Sequence, residues 1–350
     1  LRFRVALLLE EMLNEPGEAV ATYREILEKN PENFDAISSM NRLLSSEGMW
    51  PELAASLERE LELADVDTQN DVKNRLAFVL EQHMEEWGRA VDLYEAVVED
   101  EPHNEVTLNA LWRLMYTEEA PIGRVSKILE PIFLDLDDWE RVIATLEVQV
   151  LAAEDSYDRV NLLHRIAVFH ESRGADQMSA FETFAKALHY GVDNEQTLNA
   201  LYRIAPAQNA YDRLVQVFED EAAAQEESGT KRDLLRRAAA VYRDALDDTQ
   251  SATARLHEVL ELFPSDLETI VELEDIYRSN QSWAELVGVL VAKSDVVEDL
   301  DERKNLLHQA GTMFEEFLEN PTKAIDVYNQ ALELDGEDAR MDVGQFAEQR

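Results

Sequence analysis

One short helical phrase returns along the whole chain at nearly constant spacing. It is an alanine followed four residues later by an aromatic residue or leucine, and its alanines are Ala19, Ala90, Ala180, Ala252 and Ala324, at steps of 71, 90, 72 and 72 residues. A fixed period of this length is typical of stacked supersecondary units, each of which buries its apolar face only against its neighbours. We therefore expect an elongated array whose core grows in one dimension.

Composition narrows the structural and functional classes. Only 11 Gly and 9 Pro occur in 350 residues, which favours a nearly all-helical chain. Asp and Glu number 74 against 32 Lys and Arg, a net charge of −42, so the chain should repel nucleic acid phosphates and anionic membranes. The acidity has two open explanations, adaptation to a salty environment or attraction of a basic partner. No apolar run is long enough to span a membrane.

Each period of about 72 residues contains the start signals of four helices. We expect the first helix to begin at a capping side chain near Thr68, Asp158, Thr230 and Asp301. The third should begin near Asn33, Asn104, Asn194 and Asp266. The fourth should begin on an aromatic residue, namely Trp50, Trp139, Tyr211 or Trp283.

Two helices in about 36 residues with this phrase resemble the tetratricopeptide repeat (TPR). Leu235, Ala238, Ala239 and Tyr242 match the family's large, small and aromatic positions in the first helix. The small residue, where the two helices of a pair should approach closely, is Ala77, Ala167, Ala239 or Gly311. Alternate repeats are degenerate, since Asn41, Trp112, Tyr202 and Glu274 take the small position there. The resemblance implies an all-α, right-handed α-α superhelix of about nine or ten helix pairs, with a concave groove for protein or peptide partners.

The step of 90 residues marks an insertion of about 18 residues between Met115 and Trp139. We expect one additional short helix there, starting at Pro121 and broken before Pro131. The predicted organisation is TPR-like repeats over 1–117, an inserted helix and hinge over 118–137, and TPR-like repeats over 138–350. Because Arg4 to Ala19 aligns without gaps on Arg75 to Ala90, inside a repeat, we also expect the chain to be part of a longer protein.

No catalytic or cofactor-binding motif is recognisable. The glycine-rich phosphate loops and the nucleophile elbow are missing, and there is no Cys. His257-Glu258 begins like a zinc-protease helix, but Glu261 stands where the second His would be. The sequence thus predicts no enzyme, no cofactor and no metal site.

Two columns of the expected groove stand out because they are nearly free of acid. Among their eighteen positions only Asp275 is acidic, whereas 74 acids in 350 residues would place about four there by chance. The phrase Asn109-x3-Arg113 recurs as Asn199-x3-Arg203, which puts an amide and a guanidinium on one helix face. The predicted partner-binding residues are Arg42, Asn74, Asn109, Arg113, His164, Asn199, Arg203, Arg236 and His308.

Two interpretations of these residues remain open. They could hold the carboxylate or backbone of an extended peptide, or they could pair with acids of neighbouring repeats, since a third column containing Glu81 is not depleted in acid. We predict a non-catalytic scaffold that binds protein or peptide. The alternatives are a recruiting or regulatory region of an enzyme with its catalytic domain elsewhere, or a structural protein that self-associates through its end repeats, including the incomplete pair at 338–350.

Overall fold

The computed structural model describes residues 1–348, and side chains for residues 1–334. This part of the chain contains nineteen α-helices and no strand. The helices are α1 (Arg2–Glu11), α2 (Pro16–Lys29), α3 (Phe34–Ser46), α4 (Trp50–Leu63), α5 (Val66–His83), α6 (Trp87–Asp100), α7 (Glu105–Leu114), α8 (Ile122–Asp135), α9 (Trp139–Ala152), α10 (Ser156–Ser172), α11 (Gln177–Tyr190), α12 (Glu195–Gln208), α13 (Tyr211–Ala224), α14 (Ser228–Asp244), α15 (Thr249–Leu262), α16 (Leu267–Ser279), α17 (Trp283–Val296), α18 (Leu300–Glu316) and α19 (Pro321–Glu348). The all-α prediction is confirmed.

The chain forms two compact units, Leu1–Thr183 and Phe184–Arg350. The first contains α1–α10, and the second contains α12–α19; the division falls within α11. The expected hinge at 118–137 stays a prediction, and the side chains of the incomplete pair at 338–350 lie outside the described part.

Local chemistry sets most helix starts. Asn33, Asn104 and Asn194 are N-caps whose side chains accept a hydrogen bond from the backbone N–H three residues on, as expected. The aromatic starts at Trp50, Trp139, Tyr211 and Trp283 are also confirmed. The first helix of each period begins earlier than predicted, because the carboxylates that cap it precede the expected residues. These caps are Asp65, Asp155, Glu227 and Asp299.

Nine helix-to-helix turns contain a residue with left-handed backbone conformation. These residues are Asn14, Gly48, Glu85, Asp137, Ala175, Asn209, Asp247, Gln281 and Glu319, with φ between 49° and 68°. At each turn the backbone N–H that follows bonds to a carbonyl in the last turn of the preceding helix, as in a Schellman-type C-cap. These turns define nine hairpins among the described helices and leave α7 as the one helix without such a partner. The count agrees with the predicted nine or ten pairs.

These turns give a stability prediction with opposite signs at two sites. Ala175 has φ of 49°, which costs an L-residue about 1 kcal/mol relative to glycine, so Ala175→Gly should raise the midpoint of urea unfolding followed by circular dichroism. Gly48 has φ of 68°, and a Cβ there would meet nothing closer than 3.8 Å, so Gly48→Ala should lower the midpoint through backbone strain alone. Shifts of the same sign would contradict the role assigned to these turns.

Helix α8 is packed on both sides. Its N-terminal Arg124 forms ion pairs with Asp92 and Glu95 of α6, and its Glu130 accepts hydrogen bonds from Gln149 of α9 and Arg165 of α10. Pro131 lies inside α8, so the predicted break before it is wrong. The buried side chains of α8 flank this proline, including Leu129, Ile132 and Phe133, and their packing holds the helix together through the missing hydrogen bond.

Helix α8 occupies beside α6 the place that α4 occupies beside α2. A cavity of ≈ 510 Å³ lies between α2 and α4, and one of ≈ 590 Å³ lies between α6 and α8. Their linings correspond at a spacing of 71 or 72 residues, as in Leu27 and Val98, Glu28 and Glu99, Pro51 and Gly123, Ala55 and Lys127, and Arg59 and Pro131. Helix α8 therefore lies beside α6 as α4 lies beside α2, and the turn at Asp137 joins it to α9.

Candidate functional site

A concave cavity of ≈ 690 Å³ opens between α3, α4 and α5 in the first unit. The segment joining α6 to α7 closes one side of it, through Glu101 and Asn104, together with Val106 at the start of α7. We call this space the Asn74 cavity. Its volume lies within the range of about 300 to 1,000 Å³ that is usual for ligand sites.

One face of α5 supplies most of the functional groups of the Asn74 cavity. Asp67, Asn70, Asn74 and Phe78 line it and follow one another at intervals of three or four residues. Residues at this spacing lie on the same side of a helix. The Asn74 cavity is thus a groove along α5 rather than a hole between isolated loops.

The floor of the Asn74 cavity is apolar. Leu53 and Leu57 of α4 are buried there, whereas the ring of Phe78 is 49% exposed and Val106 stands exposed at the rim. A half-exposed aromatic ring above buried leucines can cover an apolar side chain of a bound molecule.

Four amide side chains surround this floor, and three are already hydrogen-bonded on both sides. Asn41 donates to Glu60 and accepts from Ser56, Asn70 donates to Glu101 and accepts from Lys73, and Asn104 donates to Glu101 and caps α7. The oxygen of Asn74 accepts from Thr107 Oγ1 at 2.7 Å. Its amide nitrogen makes no hydrogen bond within the described residues, so it remains available as a donor.

The two arginines of the Asn74 cavity are paired with acids of neighbouring helices. Arg42 is paired with Glu10 of α1 at 2.5 Å, and Arg75 with Glu60 of α4 at 3.1 Å. Hydrogen bonds from Asn70 and then Asn104 lower the pKa of Glu101, which keeps this carboxylate ionised. The two arginines of the cavity are therefore already paired with acids, and Glu101 adds a negative charge to its lining.

Arg113, a predicted partner-binding residue, is held by an acid of the neighbouring repeat. Its Nε and Nη2 donate to Glu81 Oε1 at 2.8 and 2.6 Å, and Nη2 also donates to Oε2 at 2.8 Å. Tyr94 donates to the same carboxylate at 2.9 Å, and Glu81 is 1% exposed. Burial raises the pKa of Tyr94, and the negative charge of Glu81 adds to this effect. Arg113 contacts Glu81 and Arg42 contacts Glu10; each acid is 32 residues earlier, on the first helix of the preceding hairpin.

The other predicted residues lie in both units. In the first, Asn109 is exposed on α7 and His164 is buried on α10. In the second, Asn199 and Arg203 are exposed on α12, and His308 of α18 lies against the Tyr328 ring. Arg236 of α14 is paired with Glu268 and Glu272 of α16; burial alone would lower its pKa, but these bonds outweigh burial and raise it. Only Arg42 and Asn74 of the nine line the Asn74 cavity.

Several groups of the Asn74 cavity were absent from the predicted site, among them Asn70, Asn104 and the two aspartates Asp67 and Asp71. The spacing of Asn70, Asn74 and Phe78 at four-residue intervals was a usable signal. Asn104 was assigned only to capping, a role that it also fills. No spacing in the sequence relates the α6–α7 segment to α3.

In the described part of the chain, no group of three or more His, Asp or Glu side chains could hold a metal ion. No helix in that part is both long and apolar enough to cross a membrane.

No family model and no curated protein matches this sequence. Among solved structures, the chain is similar to MamA, with 15% identity, 50% of this chain and 97% of that chain covered, and a TM-score of 0.28. It is also similar to YrrB, described as a TPR protein with an unusual peptide-binding site, with 17% identity, 49% and 84% coverage, and a TM-score of 0.28. The P58(IPK) TPR domain is also similar, with 10% identity, 90% of this chain and 98% of that chain covered, and a TM-score of 0.24. Superpositions this loose do not bear on function.

The TPR-like architecture is visible in the packing itself. The small residues Ala77, Ala167, Ala239 and Gly311 are buried, and Gly311 lies directly against the Tyr328 ring of the next helix. Helix hairpins repeat along the chain, and the predicted small positions lie in their buried interior. Each unit is an all-α, TPR-like array of helix pairs with degenerate repeats.

Proposed function

We propose that this chain is a non-catalytic scaffold that binds an extended segment of a partner protein, and that the Asn74 cavity is the binding site. The observation that carries the proposal is the combination, on one face of α5, of an unused amide donor at Asn74 and a half-exposed ring at Phe78. An amide can bond to a peptide backbone, and the ring can cover an apolar side chain.

The arginines contribute differently from what the sequence suggested. Arg42 and Arg113 are occupied by Glu10 and Glu81, so a partner carboxylate would have to displace an acid that is already bound. Binding through Asn74 and Phe78 needs no such exchange. The proposal therefore rests on α3, α4 and α5 rather than on the repeated Asn-x3-Arg phrase.

Binding can be tested with a displayed library of random linear peptides selected against the full chain. Selected peptides would be titrated by fluorescence anisotropy against the wild type and Phe78→Ala. The ring is 49% exposed, so covering it should contribute about half of the roughly 1.5–3 kcal/mol for full burial, and we expect Phe78→Ala to weaken binding about fourfold to tenfold.

Phe34→Ala is the matched control, because Phe34 is similarly exposed at 55% but does not line the cavity. Its affinity should equal that of the wild type. If no selected peptide distinguishes Phe78→Ala from Phe34→Ala, the Asn74 cavity is not the binding site.

A further inference from the structure

We infer that the segment bound in the Asn74 cavity carries an apolar side chain next to a basic one, rather than a carboxylate. This inference rests on the proposed function and specifies the chemistry of its partner. It follows from three features of the cavity lining: the state of its cations, the position of its acids, and the apolar floor between them.

The cations of the lining are already neutralised. Arg42 and Arg75 both line the Asn74 cavity, but their guanidinium groups contact Glu10 and Glu60 at 2.5 and 3.1 Å. Both of those carboxylates are largely buried, so each depends on its arginine for compensation. A ligand carboxylate would find no unpaired positive charge in this lining.

The acids of the lining are open to solvent. Asp67 and Asp71 stand exposed on the first turns of α5, and Asp67 makes no ion pair among the described residues. The Asp71 carboxylate lies 3.9 Å from the Arg75 guanidinium, which is farther than the 3.1 Å between Arg75 and Glu60. Glu101 adds a third carboxylate on the opposite side. A cationic side chain placed between α5 and the α6–α7 segment would therefore be attracted from both sides.

The apolar floor determines where the apolar side chain of the bound segment would lie. Phe78 lies seven to eleven residues beyond the two aspartates on the same helix, which is about 10 to 17 Å along its axis. An extended segment advances about 3.3 Å per residue, so it can place an apolar side chain on Phe78 and a basic one near Asp71 a few residues away. The net charge of −42 favours the approach of such a segment from a distance.

The test uses the same random linear peptide library and the full chain. We expect selected sequences to be enriched in Arg or Lys within a few residues of a large apolar residue. The double variant Asp67→Asn, Asp71→Asn should weaken their binding about threefold to tenfold, as expected for partly screened charge pairs. Asp212→Asn, Asp220→Asn removes the same charge from exposed positions on α13 of the second unit and should leave the affinity unchanged.

Each outcome bears on a different claim. Selected peptides that depend on Phe78 but are acidic, or that ignore the Asp67 and Asp71 substitutions, would overturn the inference and leave the proposed function standing. Equal weakening by both double variants would reduce the effect to net charge and would also overturn the inference. Peptides that ignore Phe78→Ala would overturn the proposed function and the inference together.

Discussion

Gly311→Ala is expected to destabilise the second unit by about 1–3 kcal/mol, the usual cost of overpacking a close contact. A Cβ on Gly311 would overlap Tyr328 Cε1 and would lie 2.7 Å from two further ring atoms. Because an aromatic ring cannot fold out of the way, α18 and α19 would have to move apart. Urea unfolding followed by circular dichroism measures the loss.

Gly288→Ala is the control for this prediction. Gly288 also lies inside a helix of the second unit, α17, but a Cβ there would meet nothing within 4 Å. Alanine should then stabilise that helix by about 0.5–1 kcal/mol. The double variant Gly311→Ala, Tyr328→Leu should recover most of the loss, since Ala239 and Leu256 form the corresponding pair 72 residues earlier. A neutral Gly311→Ala would contradict this prediction, because it would mean that α18 and α19 move apart without cost.

Arg113→Ala is expected to cost about 2–3 kcal/mol of stability in the first unit. Removing one partner from a fully buried pair costs about 3–5 kcal/mol, and the effect is smaller here because the Arg113 side chain is 49% exposed. The loss arises chiefly from Glu81, whose buried carboxylate would keep the hydrogen bonds from Tyr94 and Gln82 but lose its only positively charged partner in the described part of the chain. Thermal and urea unfolding of the variant would show it.

Arg89→Ala provides the comparison, because Arg89 pairs with Glu58 and Glu86 at the surface. It should change stability by about 0–1 kcal/mol. Adding Glu81→Gln to Arg113→Ala should restore part of the loss by removing the buried charge. If Arg113→Ala instead unfolds like the wild type and weakens binding of selected peptides, Arg113 belongs to the partner site, as the repeated Asn-x3-Arg phrase suggested.

The candidate site could be predicted only in part from the sequence. The predicted partner-binding residues included Arg42 and Asn74 of the cavity lining, because one helix face is readable from four-residue spacing. The partners of the arginines were not readable. With 74 acids in the chain, nearly every arginine has several candidate carboxylates, and only the stacking of α5 beside α7 selects Glu81 for Arg113.

What the sequence by itself determined is the local structure: the helices, most of their first residues and the small positions where hairpins close. These depend on caps, apolar periodicity and side-chain size within a few residues, as at Asn33, Trp50 and Gly311. Tertiary structure alone decided the place of α8 beside α6, the burial of Glu81 and the closure of the Asn74 cavity by Glu101 and Asn104. Each of these joins residues about 30 or more positions apart, and such contacts depend on how successive repeats stack rather than on any pattern within one repeat.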